Sequence, residues 1–315
     1  MASNVRDLVI VGGGPAGLSA SLYASRSMLD AVTFEREALG GQMILTSEID
    51  NYPGVPHADG FGLVDAMRAQ AEALGAHIEM DPVSAFDHDA KTGLFTVETS
   101  SGKHASRALI ACVGARPRRA GFEGEEAFTG RGVSYCATCD GMFYRNKQVF
   151  VIGGGNSAAE EALFLSRLAS RVVLVVRKDH LRAQAALVDE LERSERVEVR
   201  LLTSIVGIEG GTLPSKVTFR DNTSGNTYVE TYDEGSFGIF VLVGRQPETE
   251  ILSGLVELDG SGYVVTDERM ATRTPGLFVA GDARAKPLRQ IVTAASDGAV
   301  AATSAAAFLG RPIEG

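Results

Sequence analysis

One supersecondary unit occurs twice in this chain, and that duplication restricts the possible folds more than any other feature. In the first copy an apolar strand, Leu8–Val11, runs into the glycine turn Gly12–Gly17, and a helix of small residues follows. A second strand, Ala31–Phe34, then ends in an acid, Glu35. Strand, glycine turn, helix, strand and terminal acid in this order form the dinucleotide-binding fingerprint of open α/β sheets.

Each glycine of this fingerprint, and its terminal acid, has a physical role. Gly12 makes the tight turn, Gly14 lets the backbone approach a pyrophosphate, and Gly17 allows the helix to pack closely on the strand. The phosphates meet the N-terminus of the helix, where free N–H groups point outward. Glu35 lies about 20 residues after the turn, where a carboxylate can bind the adenosine ribose.

In the second copy the strand Val149–Ile152 leads into the turn Gly153–Ala158, and a helix leads on to the strand Val172–Val176. Two such units in one chain imply two nucleotides, which suits electron transfer better than simple binding. We expect the second nucleotide to contact the residues of this turn, Gly153, Gly155, Asn156 and Ser157.

The two copies differ at the position that selects the nucleotide. Val176 stands where the first copy has Glu35, and the basic residues Arg177, Lys178 and Arg182 follow it. A basic cluster in place of the acid is how such folds accept a 2′-phosphate, which favours NADPH over NADH. The alternative is that these three residues form the solvated start of a helix, since basic runs are common on surfaces.

A pair of cysteines stands just before the second copy, within the stretch Ser134–Gly141. Two residues separate Cys136 from Cys139, so the thiols can close into a disulfide with little chain movement, and Asp140 could exchange a proton with them. If a helix begins at the second cysteine, its N-terminus lowers the thiol pKa. A structural zinc site needs about four ligands, which are not available nearby. With three cysteines in the chain and no secretion signal expected, a redox-active pair is favoured over a structural disulfide.

Two similar short segments divide the chain into its predicted domains, and we call them the crossings. Each glycine unit is followed by an alternating segment that predicts an antiparallel meander, over Ile78–Gly102 and over about Val197–Tyr232. A G-x-x-P sequence comes after each meander, at Gly114–Pro117 and at Gly244–Pro247. The predicted fold is α/β, with two Rossmann-like three-layer ββα dinucleotide-binding domains, the second inserted into the first. We expect one discontinuous dinucleotide-binding domain over 1–114 and 248–315, an NAD(P)H-binding domain with the CxxC over 118–243, and hinges near 114–117 and 244–247.

Composition excludes several classes of function. The 315 residues are 44% hydrophobic and 22% charged, as in a globular protein, and the net charge of −10 argues against a nucleic-acid partner. The Ala-rich segment Ile291–Leu309 is interrupted by polar residues, so we expect no membrane span. The first residues lead directly into a strand, which predicts no signal peptide and a cytoplasmic protein. No metal site is expected.

Taken in order, the motifs give the whole chain a resemblance to the low-molecular-weight thioredoxin reductases. Besides the two glycine turns they include Gly40-Gly41-Gln42, Asn51–Gly54, Cys136–Asp140, Gly281-Asp282 and Arg289–Ile291. The resemblance implies that the discontinuous domain over 1–114 and 248–315 is the FAD-binding domain. It also implies a homodimer that passes a hydride from NADPH through the flavin to a disulfide and on to thioredoxin. It implies that Cys139 faces the flavin, that Cys136 attacks the partner and that Asp140 is the acid/base. The implied FAD contacts are Gly12, Gly14, Gly17, Glu35, Gly41, Gln42, Asn51, Asp282, Arg289 and Gln290.

The sequence departs from the family pattern at the NADPH phosphate. The family has His-Arg-Arg-x-x-x-Arg, whereas here Val176 replaces the histidine and Lys178 replaces an arginine that could bind phosphate with two parallel bonds. Relatives of the same architecture take electrons from ferredoxin, or oxidise dithiols with oxygen, and these remain alternatives. A flavin-bound redox sensor and a flavin monooxygenase are less consistent with the intact second turn and with the CxxC. Cys112, in an apolar strand, is expected in the core.

Overall fold

The computed structural model describes residues 5–45, 49, 51–56 and 58–311. The chain divides into two compact units, one made of residues 1–116 and 246–315, and the other of residues 117–245. The chain passes between the units twice, once in each G-x-x-P segment.

The first unit begins with a βαβ unit and continues into longer strands. Its elements are β1 (Arg6–Val11), α1 (Pro15–Arg26), β2 (Ala31–Glu35), α2 (Gly60–Ala73), β3 (His77–Met80), β4 (Val83–Asp89), β5 (Leu94–Thr99) and β6 (Gly102–Ala111), followed by β7 (Ala115–Pro117) at the first crossing. A 3₁₀ helix, Gly41–Leu45, lies between β2 and α2.

The second unit has more strands than helices. Its elements are β8 (Val133–Ser134), α3 (Ala137–Asp140), β9 (Gln148–Ile152), α4 (Asn156–Ser166), β10 (Arg171–Val175), α5 (Ala185–Arg193), β11 (Val197–Arg200), β12 (Thr203–Gly210), β13 (Pro214–Asp221), β14 (Thr227–Thr231) and β15 (Phe237–Val241), followed by β16 (Arg245–Pro247) at the second crossing. A 3₁₀ helix, Gly141–Tyr144, follows α3 directly. The chain then returns to the first unit with β17 (Leu277–Val279) and α6 (Ile291–Phe308), preceded by 3₁₀ helices at Glu250–Leu252 and Gly281–Ala283.

The sheet of the first unit has the strand order β3-β2-β1-β6-β5-β4, and β17 pairs with β6. The strands β3, β2, β1, β6 and β17 are parallel, whereas β4 and β5 pair antiparallel with their neighbours. The alternating segment from Ile78 is therefore not a meander throughout, because β3 joins the parallel part beside β2. The helix α2 connects β2 to β3, and a helical crossover produces a parallel pair.

The second unit repeats this arrangement in its sheet β11-β10-β9-β15-β8, whose strands are all parallel. In the second predicted meander the antiparallel part likewise begins one strand later than predicted, because β11 follows α5 and pairs parallel with β10. The remaining strands of the segment, β12, β13 and β14, form a separate antiparallel sheet.

The Ala-rich helix α6 is a core element of the first unit. Its length and mean hydropathy of 1.3 would allow it to cross a membrane by these two measures alone. However, it packs against α1 so closely that a Cβ at Gly298 would lie 2.0 Å from the carbonyl oxygen of Ala16. Its buried alanines share one apolar cluster with Leu8 and Ile10 of β1. These are the contacts of a helix that covers one face of an α/β sheet.

Candidate functional site

The first glycine turn has the shape that a dinucleotide requires. Gly12 has a φ of 103°, which favours glycine. A Cβ at Gly17 would lie 1.7 Å from the carbonyl oxygen of Gly12, so helix and turn could not pack with a larger residue there. By contrast, a Cβ at Gly14, the N-cap of α1, would meet no atom within 4 Å. The space in front of the helix N-terminus is thus open, as a bound phosphate requires.

Two segments distant in sequence lie against this turn. Glu35, at the end of β2, accepts a hydrogen bond from the N–H of Gly13 at 2.6 Å. The N–H of Gly40 donates to the carbonyl of Gly13 at 2.8 Å. An added Cβ on Gly41 would be 3.8 Å from the Cα of Gly14. The carboxylate and the Gly-Gly-Gln loop are therefore brought to the phosphate turn.

The side chain of Gln42 points from this loop toward the first crossing, because its amide donates a hydrogen bond to the carbonyl of Ala115. Arg116 and Arg36 both pair with Glu248, at 2.9 Å and 3.1 Å. The Gly-Gly-Gln loop is thus tied to the first chain passage, and Arg36, directly after β2, is tied to the residue that follows the second passage.

The carboxyl end of β17 reaches the same helix. Because β17 pairs with β6, Asp282 follows the carboxyl end of a parallel strand, the usual location of ligands in open α/β sheets. A Cβ on Gly281 would be 3.0 Å from that of Ala16 in the first turn of α1. Asp297 of α6 accepts the N–H of Gly281 at 3.1 Å. Sequence reasoning missed Asp297, since no local motif marks it.

Arg289, Gln290 and Asn51 form a polar group before α6. The guanidinium of Arg289 lies 3.7 Å from the centre of the Tyr263 ring and donates to the carbonyl of Asp282 at 3.3 Å. Gln290 is the N-cap of α6, and its side-chain oxygen accepts from the Asn51 amide at 3.1 Å. Open space before α1 and polar side chains along one sheet edge together fit a flavin dinucleotide.

The second glycine turn repeats these features with one substitution. Gly153 has a φ of 157°, and a Cβ there would lie 2.5 Å from the carbonyl of Leu242. Gly155 is the N-cap of α4, and a Cβ on it would again meet nothing within 4 Å. Asn156 accepts the N–H of Gln184 at 2.9 Å, and Ser157 is exposed beside it. A second open helix N-terminus is thus present in the second unit.

The basic segment lies beside that turn. Arg182 donates its N–H to the carbonyl of Gly154 at 2.6 Å, while Val176 is buried. The side chains of Arg177, Lys178 and Arg182 are exposed. The segment is not the beginning of a helix, since α5 starts only at Ala185. Three cations near an open helix N-terminus fit a phosphate ligand.

The two cysteines of the CxxC form a disulfide with a Cα–Cα distance of 5.3 Å. Cys136 follows β8 and is the N-cap of α3, which begins at Ala137, and Cys139 lies within that helix. The helix therefore does not begin at the second cysteine, because Cys136 has an extended backbone and the helical conformation starts directly after it. The helix is one turn long, so its dipole is small.

The acid after the pair is suited to hold a proton. Burial raises the pKa of the Asp140 carboxyl, while the Ser134 hydroxyl, a hydrogen-bond donor to it, opposes part of the rise. Burial, with a smaller contribution from Asp140, raises the pKa of Tyr144 to about 12, so the tyrosine stays neutral. A carboxyl with a raised pKa beside a disulfide can deliver a proton as thiolates form.

A second carboxyl at the disulfide was not found by sequence reasoning. Glu161 of α4 accepts the N–H of Ala137 at 2.8 Å, so it binds the peptide group that follows Cys136. Burial is the main cause that raises the pKa of Glu161. The two residues are far apart in sequence, and only the packing of α4 beside α3 brings them together.

The remaining cysteine is structural. Cys112 is buried in the same apolar cluster as Leu8 and Ala16, and burial together with Asp297 raises the pKa of its thiol. In the described part of the chain, no group of three or more His, Cys, Asp or Glu side chains could hold a metal ion.

The comparisons with known proteins agree with this geometry. Residues 6–298 match the family model described as pyridine nucleotide-disulphide oxidoreductase. A thioredoxin reductase of Treponema pallidum (strain Nichols) is 42% identical over 304 residues, 96% of this chain and 97% of that protein. One of Peptoclostridium acidaminophilum is 40% identical over 309 residues, 97% and 98% of the two chains. The crystal structure of a thioredoxin reductase from Streptococcus pyogenes MGAS5005 superposes with a TM-score of 0.91 at 36% identity, covering 98% of this chain and 99% of that one.

Fold, disulfide and matched family together define a flavin-type disulfide oxidoreductase, and the chain belongs to the pyridine nucleotide-disulphide oxidoreductases. Within that class it is a member of the thioredoxin reductase family. Use of FAD and NADPH is a property of this family.

Proposed function

We propose that this protein is a thioredoxin-disulfide reductase that passes electrons from NADPH through FAD and the Cys136–Cys139 pair to thioredoxin or a thioredoxin-like protein. The observation that carries the proposal is the closed Cys136–Cys139 disulfide in the unit that also contains the second open glycine turn. The first unit binds FAD and the second binds NADPH. The crossings at 114–117 and 244–247 serve as hinges.

In this reaction two electrons pass from NADPH to the disulfide of thioredoxin. FAD held by the first unit would supply the two-electron chemistry that links oxidation of NADPH to reduction of the disulfide. Reduction breaks the Cys136–Cys139 bond and needs two protons to give two thiols. The hydride from NADPH brings one of them with its two electrons, and Asp140 can supply the other. The Cys136 thiol then loses its proton and, as a thiolate, attacks one sulfur of the thioredoxin disulfide. A mixed disulfide forms, the disulfide bond of thioredoxin breaks, and its other sulfur takes up a proton and leaves as a thiol. Cys139 attacks that bond, which re-forms the Cys136–Cys139 disulfide and releases reduced thioredoxin.

We assign each candidate residue to one of the two nucleotides. The first phosphate site consists of Gly12, Gly14 and Gly17, with Glu35 on the ribose. The remaining FAD contacts are Gly41, Gln42, Asn51, Asp282, Arg289 and Gln290. NADPH contacts Gly153, Gly155, Asn156 and Ser157, and its 2′-phosphate contacts Arg177, Lys178 and Arg182. We further propose a cytoplasmic homodimer.

Rapid mixing with NADPH under anaerobic conditions tests the electron donor. The flavin absorbance should bleach within the enzyme's turnover time and return on addition of oxidised thioredoxin. Bleaching by reduced ferredoxin but not by NADPH would instead support the ferredoxin-linked alternative, which the replacement of histidine by Val176 keeps open. Return of the flavin colour with oxygen and a dithiol alone would support a dithiol oxidase.

Replacement of Arg177 by alanine should distinguish NADPH from NADH. Loss of a charge-assisted phosphate contact, about 1.5–3 kcal/mol, should raise the KM for NADPH by about tenfold or more. The KM for NADH should change little, because NADH has no 2′-phosphate. Arg193→Ala removes an exposed cation of the same unit from the last turn of α5 and is the matched control. Equal increases for both nucleotides in Arg177→Ala would contradict the phosphate assignment.

Replacement of Asp140 by asparagine should slow reduction of the disulfide while NADPH still binds normally. General acid catalysis contributes roughly 10²–10⁴-fold, so a loss within this range is expected in a single-turnover assay that counts new thiols. In the wild type the rate should fall as pH rises through the raised pKa of Asp140, and this decline should be absent from the variant. Asp189→Asn removes an exposed carboxylate of α5 and should have no such effect.

The same substitution should not destabilise the protein at neutral or alkaline pH. Because burial raises the folded-state pKa of Asp140 above its unfolded value, the group stabilises the fold at low pH, and this contribution is lost as pH rises through the folded pKa. Asparagine cannot ionise, so the Tm of Asp140→Asn relative to the wild type should increase with pH. A Tm difference that decreases with pH would show that the carboxylate is stabilised in the fold.

A further inference from the structure

The peptide group between Cys136 and Ala137 is bound by a side chain from another element of the second unit. Its N–H donates to Oε2 of Glu161 at 2.8 Å, and Ala137 is completely buried. On the other side of Cys136, its own N–H donates to the Ser134 hydroxyl at 3.1 Å. The backbone around the first cysteine is therefore held at two N–H groups, that of Cys136 and that of Ala137.

Glu161 belongs to α4, whose open N-terminus follows the second glycine turn. The carboxylate therefore joins the turn that carries Cys136 to the helix on which the second nucleotide is proposed to bind. Its surroundings are mixed in charge. Arg245 of β16 attracts the carboxylate, Glu160 on the same helix repels it, and burial disfavours its charged form most strongly. Asp140, at the other end of the turn, is also partly buried.

We propose that Glu161 is a positioning residue for the redox pair, holding the turn that carries Cys136 against α4 and opposing thiolate formation at that cysteine. The carboxylate is separated from Cys136 by a single peptide group, in a partly buried setting where charges interact more strongly than in water. It acts through the backbone, by its bond to the Ala137 N–H. The proposal rests on the proposed function only in taking Cys136 as a redox thiol.

The two effects can be separated by two substitutions. Glu161→Gln keeps an oxygen that can accept the Ala137 N–H but removes the negative charge. Glu161→Ala removes both. Glu160→Gln removes a charge from the adjacent, exposed position of α4 and leaves the bond to Ala137 intact, so it is the matched control for charge.

The first measurement is the pH dependence of Cys136 alkylation by iodoacetamide, made on the full-length holoprotein with Cys139→Ser so that no disulfide forms within the pair. Glu161→Gln should move the midpoint to lower pH and raise the alkylation rate at neutral pH by roughly three- to tenfold, because a nearby negative charge is removed. Glu160→Gln should leave the midpoint nearly unchanged, since solvent screens its charge. An unchanged midpoint in Glu161→Gln, or an equal shift in Glu160→Gln, would overturn the proposal.

The second measurement is hydrogen exchange of the Ala137 amide. It should become faster in Glu161→Ala and remain slow in Glu161→Gln, where an acceptor is retained. Equal protection in wild type and Glu161→Ala would show that the bond does not hold the turn. If Glu161→Ala does not fold, the alkylation profile of Glu161→Gln alone decides the proposal. Neither measurement uses NADPH or thioredoxin, so failure here is distinguishable from failure of the proposed function.

Discussion

A Gly14→Val protein should fold and yet purify without flavin. Gly14 has φ −71° and ψ −175°, an extended backbone that valine adopts readily, and a Cβ there meets no protein atom within 4 Å. The side chain would instead occupy the space in front of α1 and keep the pyrophosphate from the helix N–H groups. Loss of roughly two charge-assisted bonds of about 1.5–3 kcal/mol each should weaken FAD binding by more than about a hundredfold.

Substitutions at two other glycines are the controls for this experiment. Gly155→Val makes the same change in the second unit, so it should keep its flavin and instead lose affinity for NADPH. Gly17→Val should fail to fold, because its Cβ would lie 1.7 Å from the carbonyl oxygen of Gly12. The ratio of flavin to protein, together with circular dichroism, separates the three cases. Full flavin occupancy in a folded Gly14→Val would place the FAD site elsewhere.

The second prediction with a large expected effect concerns the different roles of the Cys136 and Cys139 thiols. In Cys139→Ser the remaining Cys136 thiol should attack the disulfide of thioredoxin and stay joined to it, because no second thiol is left to release the partner. The expected product is a covalent one-to-one adduct, visible as a mass increase equal to one thioredoxin and reversed by dithiothreitol.

The reciprocal variant is the control. Cys136→Ser keeps Cys139, which the proposed roles turn toward the cofactor and away from thioredoxin, so it should form little adduct. Cys112 is buried and should contribute none. An adduct that formed through Cys139 and not through Cys136 would require the two roles to be exchanged.

The local motifs could be recognised from the sequence because each depends on few neighbouring residues. The turns at Gly12 and Gly153 both have positive φ, and both Gly14 and Gly155 face open space, as the spacing predicts. The α/β class followed from the order of strands and helices.

Contacts between distant segments could not be derived in this way. Alternating apolar residues do not distinguish parallel from antiparallel strands, so the sequence pattern predicts meanders that include β3 and β11. In the structure both strands follow crossover helices, α2 and α5, and pair parallel with their neighbours. The start of α3 at Ala137 depends on the extended backbone of Cys136. The bond from Ala137 to Glu161 depends on the packing of two helices and has no sequence signature.

The most direct test is to count thiols on thioredoxin after incubation with NADPH and the purified holoprotein under anaerobic conditions. The proposed function predicts two new thiols on thioredoxin for each NADPH oxidised, and none with the variant in which both Cys136 and Cys139 are serine. Thiols that appeared equally fast with that variant, or NADPH oxidation that left thioredoxin in its disulfide form, would contradict electron transfer through the Cys136–Cys139 pair.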